Sequence, residues 1–422
     1  MSSKLSTPCG ALLLSLLVQT AAVAAPAALY HAPPAEVALS PVESEFLALV
    51  HSEFKGRAVQ APARCPALTR AARDAAAILA HEPSTLPSDS GFRGDPRRER
   101  RRGAPDLPAG EIIRALLQHQ GVSDMMTFPF TLQYDGGELP RHDVRAIVER
   151  YVIDRRVSHV GVGSSARDGG ASLVVLLFVS RMVTLEPLPR EVTAEAELTL
   201  KGSVPPHYGF PQVLLKLPGG AVVDADVYAI RRGAFRAPLP LTAGPGRYVV
   251  EVLTSDEFGP QVANLFSLYK ETRAPRVPEL RLVPDDPPGG DPEALAVRLL
   301  KLLARDRERF GAPPLESHPG LTRAARAHST DMAFRDYFGH RAPSSGPTPE
   351  RLARFGIKAR AIGETISIAP TTTKAHADLM HSPSHRRVLL DPQMTHVGVG
   401  IVSVGVGASR RLVITQKLAN LP

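Results

Sequence analysis

The last third of this chain collects histidine, serine and carboxylate side chains in an order seen nowhere else in it. His328-Ser329-Thr330-Asp331 is followed by His340, then Glu364, then Ser382-Pro383-Ser384-His385. Two imidazoles and a carboxylate suit Zn²⁺ with an open coordination position, and suit equally a general base oriented by an acid. Positions 340, 364 and 385 form no compact motif of the His-Glu-x-x-His kind, so a shared site requires a fold that draws distant segments together. No Gly-x-Ser-x-Gly elbow offers a nucleophilic serine. Ser329 beside His328 is adjacent only along the chain, which is no evidence of a dyad.

The elements that must position these groups are legible as periodic patterns. Asp291 followed by Pro292 is a helix start, because the Asp side chain accepts free N–H groups and Pro at the first helical position loses none. Leu295, Leu299, Leu302 and Leu303 then form one apolar stripe ending near Gly311. A second helix from Leu321 places Leu321, Ala324, Ala325, His328 and Met332 on one face. His328 therefore points inward, where a core histidine is the simpler reading and a secondary cleft residue the alternative.

One stretch is written twice. Pro66-Ala67-Leu68-Thr69-Arg70-Ala71-Ala72-Arg73 returns as Pro319-Gly320-Leu321-Thr322-Arg323-Ala324-Ala325-Arg326, and Ser158-His159-Val160-Gly161-Val162-Gly163 as Thr395-His396-Val397-Gly398-Val399-Gly400. The spacing from 68 to 159 is 91 and that from 321 to 396 is 75, so the first copy carries a net insertion of 16. The copies differ in chemistry: His328, Ser329, Thr330 and Asp331 stand where the first has Ala75, Ala76, Ala77 and Ile78, and His340 stands where it has Pro87. The first copy is therefore expected to bind no metal. His396 matches His159 of that blank copy, which assigns it to a strand or turn rather than to a reaction. His376 and His381 are candidates to join the cleft, with surface exposure the default expectation for both.

In the first copy, Phe46, Leu47, Val50 and Phe54 begin a helical pattern at Glu43, and helices are expected over Leu68–Ala80, Ile112–Leu117 and Val144–Val152. His159–Gly163 and Ser172–Val179 read as strands. The Ser/Pro/Gly/Arg-rich stretch from Glu82 to Ala109 is the place for the insertion. Between Val183 and Lys270 short alternating runs, Thr193–Leu200, Gln212–Leu217, Ala221–Ile230 and Tyr248–Thr254, predict a small immunoglobulin-like β-sandwich with a hairpin at Pro218-Gly219-Gly220. A Pro-rich hinge, Pro275–Pro292, leads into the second copy.

With 422 residues and 43% apolar content the chain has material for several packed cores. Lys4, the apolar centre Ala11–Val18 and the small residues Ala22-Val23-Ala24-Ala25 form an export-signal pattern over residues 1–25. No later stretch is apolar for long enough to span a bilayer. Cleavage there leaves Cys65 as the lone cysteine, so no internal disulfide supports the mature chain. The formal charge of +8 owes much locally to Arg97-Arg98-Glu99-Arg100-Arg101-Arg102, which reads as a solvated loop. With no Trp and 5% aromatic residues the chain lacks the stacking platform of a nucleic-acid binder.

The order Ala327-His328-Ser329-Thr330-Asp331-Met332-Ala333, Tyr337-Phe338-Gly339-His340, Gly363-Glu364, Ser382-Pro383-Ser384-His385-Arg386 and Gly398-Val399-Gly400 resembles the CAP superfamily, also called the SCP/PR-1/antigen 5 family, in its bacterial branch. The resemblance covers about Pro292 to Leu418, with a degenerate version over about Glu43 to Arg181. It implies an α+β fold: two CAP-like three-layer α-β-α sandwich domains, the first degenerate, flanking the β-sandwich, with domains at 40–182, 183–274 and 291–422. It implies further that His340, His385 and Glu364 share a surface cleft able to hold Zn²⁺ or another divalent metal. A second acidic position of that cleft falls here around Ser382 and Pro383, and the usual Gly-Glu-Asn is Gly363-Glu364-Thr365.

Two functions follow as expectations. One is a secreted, periplasmic or envelope-associated binding module for a lipid, polysaccharide or protein. The other is a metal-assisted hydrolase of a peptide, ester or glycan, with His340, Glu364 and His385 as its catalytic candidates. A third expectation, that the chain is an assembly or adhesion part of the cell envelope, rests on its three-module layout.

Overall fold

The structure is a computed structural model that describes residues 28–32, 35–80, 109–167, 169–278, 291–405 and 410–422. The export-signal pattern, most of the Glu82–Ala109 insertion with Pro87 and the Arg97–Arg102 run, and most of the Pro-rich hinge lie outside the described residues. The chain forms two compact units, one running to Val192 with a return segment from Thr272, the other joining Thr193–Glu271 to the C-terminal region. Among the described residues no helix is long and apolar enough to cross a membrane.

The first unit contains helix α1 (Pro41–Ser52), strand β1 (Ala63–Arg64), helices α2 (Pro66–Ala80) and α3 (Ala109–His119), strand β2 (Thr127–Tyr134), helix α4 (Arg141–Ile147), and strands β3 (His159–Ala166) and β4 (Ser172–Val179). Its sheet runs β1-β3-β4-β2, with β1 parallel to β3 and the other pairs antiparallel. From Leu173 onward strand β4 is apolar because both its faces are covered. Leu173, Val175, Leu177 and Val179 pack with α2 and α3, whereas Val174, Leu176 and Phe178 pack with Phe46 and Val50 of α1 and Val144 of α4. Side-chain alternation along one strand thus builds three layers, helices over sheet over helices.

The C-terminal part of the second unit repeats this plan. It holds helix α5 (Pro292–Arg309), a short strand Glu316–Ser317, helices α6 (Pro319–Arg335) and α7 (Thr348–Ala353), a strand Ala361–Ala369, helices α8 (Thr372–His381) and α9 (Pro383–Leu390), and a hairpin of His396–Val404 with Arg411–Asn420. In spatial order the short strand lies parallel to 396–404, which pairs with 411–420, which pairs with 361–369, the same order as in the first unit. Asp291 caps α5 as expected, its Oδ1 accepting the Ala294 N–H at 2.6 Å.

The repeated sequence blocks have a common physical cause. Gly161 and Gly163 face the backbone of α2 at Leu68 and Ala72, and Gly398 and Gly400 face α6 at Leu321 and Ala325. A Cβ on Gly163 would lie 2.2 Å from Ala72 C, and one on Gly400 2.1 Å from Arg326 N. Helix and sheet therefore touch backbone to backbone, which only glycine allows. The Ser/Thr-His pair before the glycines is also reused: Ser158 Oγ and Thr395 Oγ1 each donate to a carbonyl of the adjacent strand, at Val179 and Ala419, and each lies 2.8 Å from Nδ1 of the next histidine. Arg73 pairs with Glu43 in one copy as Arg326 pairs with Glu293 in the other.

The central region consists of β5 (Thr199–Ser203), β6 (Gln212–Lys216), β7 (Val222–Ala225), β8 (Tyr228–Arg231), β9 (Ala234–Pro238), β10 (Gly246–Asp256) and β11 (Gly259–Lys270), after which the C-terminal strands are β12 (Glu316–Ser317), β13 (Ala361–Ala369), β14 (His396–Val404) and β15 (Arg411–Asn420). One sheet contains β7-β6-β10-β11 and another β8-β9-β5. Three details depart from the sequence-based expectation. The run Ala221–Ile230 is two strands in different sheets, broken at residues 226–227, because its alternation continues through a change of sheet. The strand expected at Thr193–Leu200 begins only at Thr199. The long strand β11 and, in the first unit, β2 went unforeseen, since their polar residues mask the alternation.

Gly400→Ala should destabilise the second unit by about 1–3 kcal/mol, because its Cβ meets helix backbone that has no side-chain freedom to yield. Gly219→Ala, with open space around the added methyl, should stay within about 0.5 kcal/mol of wild type. Urea unfolding of both variants measures this, and equal midpoints would contradict the close-approach account.

Candidate functional site

Strand β13 presents Glu364 directly opposite Lys417 of β15, which in turn lies opposite Gly398 of β14. A buried carboxylate needs partners, and this one has them on every side. Arg351 of α7 donates through Nη2 to Oε1 at 2.9 Å and Oε2 at 2.7 Å, Thr348 donates to Oε1 at 2.8 Å, and the Lys417 ammonium donates to Oε2. Burial alone would raise the Glu364 pKa, but the His340 hydrogen bond and the Lys417 and Arg351 charges outweigh it and hold the carboxyl well below the usual range. Burial pulls the Lys417 pKa down, with the Glu364 charge opposing it.

His340 joins this cluster from the loop after α6, its Nδ1 3.0 Å from Glu364 Oε1 and its side chain 22% exposed. Arg351 Nη1 donates to the His340 carbonyl at 2.7 Å, so one guanidinium fixes both the acid and the backbone that carries the imidazole. His328 is buried beneath. Its Nε2 donates to the Gly339 carbonyl at 3.0 Å and stands 3.9 Å from Glu364 Oε1. Burial pushes its pKa down to about 4, only partly offset by Glu364. The inward reading of His328 therefore holds: it props the Gly339 carbonyl and the loop bearing His340 instead of lining an open face.

His385, at the start of α9, completes the pair, its ring centroid 6.5 Å from that of His340. Burial, with a smaller effect from His340, pushes its pKa to about 3. Its Nδ1 lies 2.6 Å from Ser382 Oγ, and the Ser382 hydroxyl donates to Glu251 of β10. Glu251 also accepts the Ser384 N–H at 2.6 Å. The neighbouring hairpin end of β10 and β11 comes to the same rim. Phe258 stacks on Tyr337 at 5.8 Å, and its carbonyl accepts the Arg341 N–H at 2.7 Å. Gly339 makes this possible, since a Cβ there would lie 2.5 Å from Phe258 Cβ.

The structure thus brings His340, Glu364 and His385 into one neighbourhood. Glu364 already shares its charge with an ammonium and a guanidinium, leaving a local excess of positive charge that would repel a divalent cation. Among the described residues no group of three or more His, Cys, Asp or Glu has metal-holding geometry. What remains is two imidazoles whose Nδ1 atoms are engaged within the protein, which leaves Nε2 as the unused edge of each.

Sequence reasoning missed Thr348, Arg351, Lys417 and Glu251. Lys417 sits in an apolar strand, where a charge signals a buried partner, but nothing along the chain points from Arg351 or Glu251 to the site. His376 corrects an expectation: it is buried, its Nε2 3.0 Å from Asp306. His396 behaves as a strand residue, 3.6 Å from Glu316. In the first unit the register places Pro129 and Leu177 where Glu364 and Lys417 stand, with Ala75 for His328. An apolar pair there replaces a buried ionic one.

Stability of the second unit should fall as pH drops from 6.5. The unfolded chain takes up protons on His328 and His385 near pH 6.5, whereas the folded chain does so only near pH 4 and 3, so the unfolded state binds more protons in between. Each contributes a slope of up to about 1.4 kcal/mol per pH unit. Glu364 adds to the loss below its ordinary range. Urea midpoints measured from pH 7 to 5 check this, and His328→Gln should flatten the slope; a pH-independent wild type would contradict the assignment.

Residues 300–417 match the family described as CAP, the cysteine-rich secretory protein family. The uncharacterized protein YkwD of Bacillus subtilis is 34% identical over 109 residues, 26% of this chain and 42% of that protein. The uncharacterized membrane protein YlbC of the same organism is 30% identical over 105 residues, 25% of this chain and 30% of its own. The chain thus spans less than half the length of either relative. Among solved structures, an extracellular protein containing a SCP domain from Bacillus anthracis is similar over 56% of this chain and 80% of its own, at 21% identity and a TM-score of 0.27. An outer surface protein from Borrelia burgdorferi is similar over 30% and 92%, at 15% identity and a TM-score of 0.27. The C-terminal segment that carries His328, His340, Glu364 and His385 is a CAP domain of the cysteine-rich secretory protein family.

Proposed function

We propose that this chain is an exported, non-catalytic binding protein whose CAP domain offers the Nε2 edges of His340 and His385 to a lipid, polysaccharide or protein of the cell envelope. The observation that carries this reading is the full commitment of Glu364: both oxygens are held by Arg351, with Lys417, Thr348 and His340 completing the shell. A carboxylate so occupied is a poor metal ligand and a poor proton acceptor. His385 points the same way, since an imidazole held near pKa 3 is too weak a base to abstract protons efficiently at neutral pH. Both imidazoles can still donate or accept a hydrogen bond through Nε2.

On this reading the first unit is a degenerate CAP-like domain, kept for packing or partner contact, because apolar Ala75, Pro129 and Leu177 stand at its cleft positions. The central strands form an immunoglobulin-like sandwich, and the mature protein starts after residues 1–25 and is secreted or periplasmic. The metal-assisted hydrolase remains the rival reading.

Titration calorimetry with Zn²⁺ separates the two. Equal heats are expected for wild type and the His340→Ala/His385→Ala variant, and chelator should change nothing. Zn²⁺ binding lost in the variant, or chelator-sensitive turnover on a peptide, ester and glycan panel, would restore the hydrolase. For the binding function, co-sedimentation with phospholipid vesicles and with insoluble cell-wall polymer should show retention on one of them. The double variant should weaken that retention by roughly tenfold, the worth of one or two hydrogen bonds.

A further inference from the structure

The carboxylate that serves His385 comes from outside the CAP domain. Glu251 lies in the middle of β10, fully buried, with its partners Ser382 and Ser384 at the start of α9. Its location is no isolated contact. Arg386 Nε donates to the Gly220 carbonyl at 2.8 Å, Arg387 pairs with Asp224 at 2.9 Å, and Lys216 Nζ donates to the His381 carbonyl at 3.0 Å. Together with the Phe258 contacts, these fix β6, β7 and β10 against α9 and the His340 loop.

The hydrogen bonds around Ser382 have a direction. Burial raises the Glu251 pKa, with the Ser382 and Ser384 hydrogen bonds and the Lys216 charge opposing it; with the carboxyl ionised, the one proton of the Ser382 hydroxyl goes to Glu251 Oε1. The oxygen can then only accept from His385 Nδ1, 2.6 Å away, and from the Ser384 hydroxyl at 3.3 Å. His385 must therefore carry its proton on Nδ1 and leave the lone pair on Nε2. We propose that Glu251 of the central β-module is the positioning residue for His385, setting its tautomer through Ser382 and thereby making Nε2 the hydrogen-bond acceptor of the ring. A chain with an acid at 364 and none at 382 or 383 thus backs both imidazoles with carboxylates, His340 directly and His385 by way of a hydroxyl and a second module. This goes beyond the binding reading and does not depend on it, because the tautomer exists whether or not a ligand binds.

The partner groups make a sharp test possible. In Glu251→Gln the amide oxygen must face the Ser384 N–H, a donor that cannot turn, which leaves the amide NH₂ donating to Ser382 Oγ. The Ser382 proton is then released toward His385 Nδ1, and the imidazole proton moves to Nε2. Long-range ¹H–¹⁵N spectra of the full chain labelled at histidine, with His385 assigned by its loss in His385→Ala, report this at mildly alkaline pH. In wild type the His385 Nδ1 signal is expected in the protonated range and Nε2 in the unprotonated range, and Glu251→Gln should exchange them while the His340 signals stay in place. Ser382→Ala, which leaves the β-module untouched, should also release the Nδ1 proton and gives the same readout if the Gln variant fails to fold. An Nε2-protonated His385 in wild type, or an Nδ1-protonated one in both variants, would overturn the proposal.

Discussion

A carboxylate taken out of water must bring its counter-charges with it, and the cleft of this CAP domain is organised by that requirement at Glu364. The desolvation cost of a buried ion is recovered only when geometry is good and every lone pair is used. Here a strand neighbour supplies Lys417, α7 supplies Arg351 and Thr348, and the His340 ring takes what remains. Because Arg351 also holds the His340 carbonyl, the ionic cluster determines where that imidazole sits.

The first unit shows how the scaffold fares without this cluster. It retains the strand order, the helix layers on both faces, the backbone contact at two glycines and the hydroxyl-histidine pair before them. At the equivalents of Glu364 and Lys417 it has Pro129 and Leu177, and Pro is tolerated because β2 is an edge strand whose missing N–H need not pair. Fold and cleft chemistry are therefore separable: the glycines and apolar alternation build three layers, and the ionic cluster is an addition to one copy. Well-packed apolar groups commonly replace buried ion pairs at little cost.

The central strands of the second unit give the cleft features that the CAP segment lacks. Phe258 reaches the His340 loop through the gap left by Gly339, and Glu251 meets the hydroxyl beside His385. Both contacts come from the long β10–β11 hairpin, whose strands are stiff enough to carry a side chain to a defined point. Groups that position one another across this unit keep their geometry only while its strands and helices stay packed.

Much of the architecture was legible in the sequence, because helix and strand leave local periodicities. The α6 stripe, the Asp291 cap and strand β4 follow from spacing alone, and the two copies follow from self-comparison. The inward turn of His328 and the strand role of His396 were likewise local facts. Where alternation ran on through a corner, as over Ala221–Ile230, or was broken by polar residues, as in β11, the local signal misled. The partners of the cleft were of another kind. Glu364 meets Lys417 through sheet register, Arg351 through the placement of α7, and His385 meets Glu251 through the packing of α9 on the central strands. Such pairings are set by which surfaces bury one another, and no spacing along the chain encodes them.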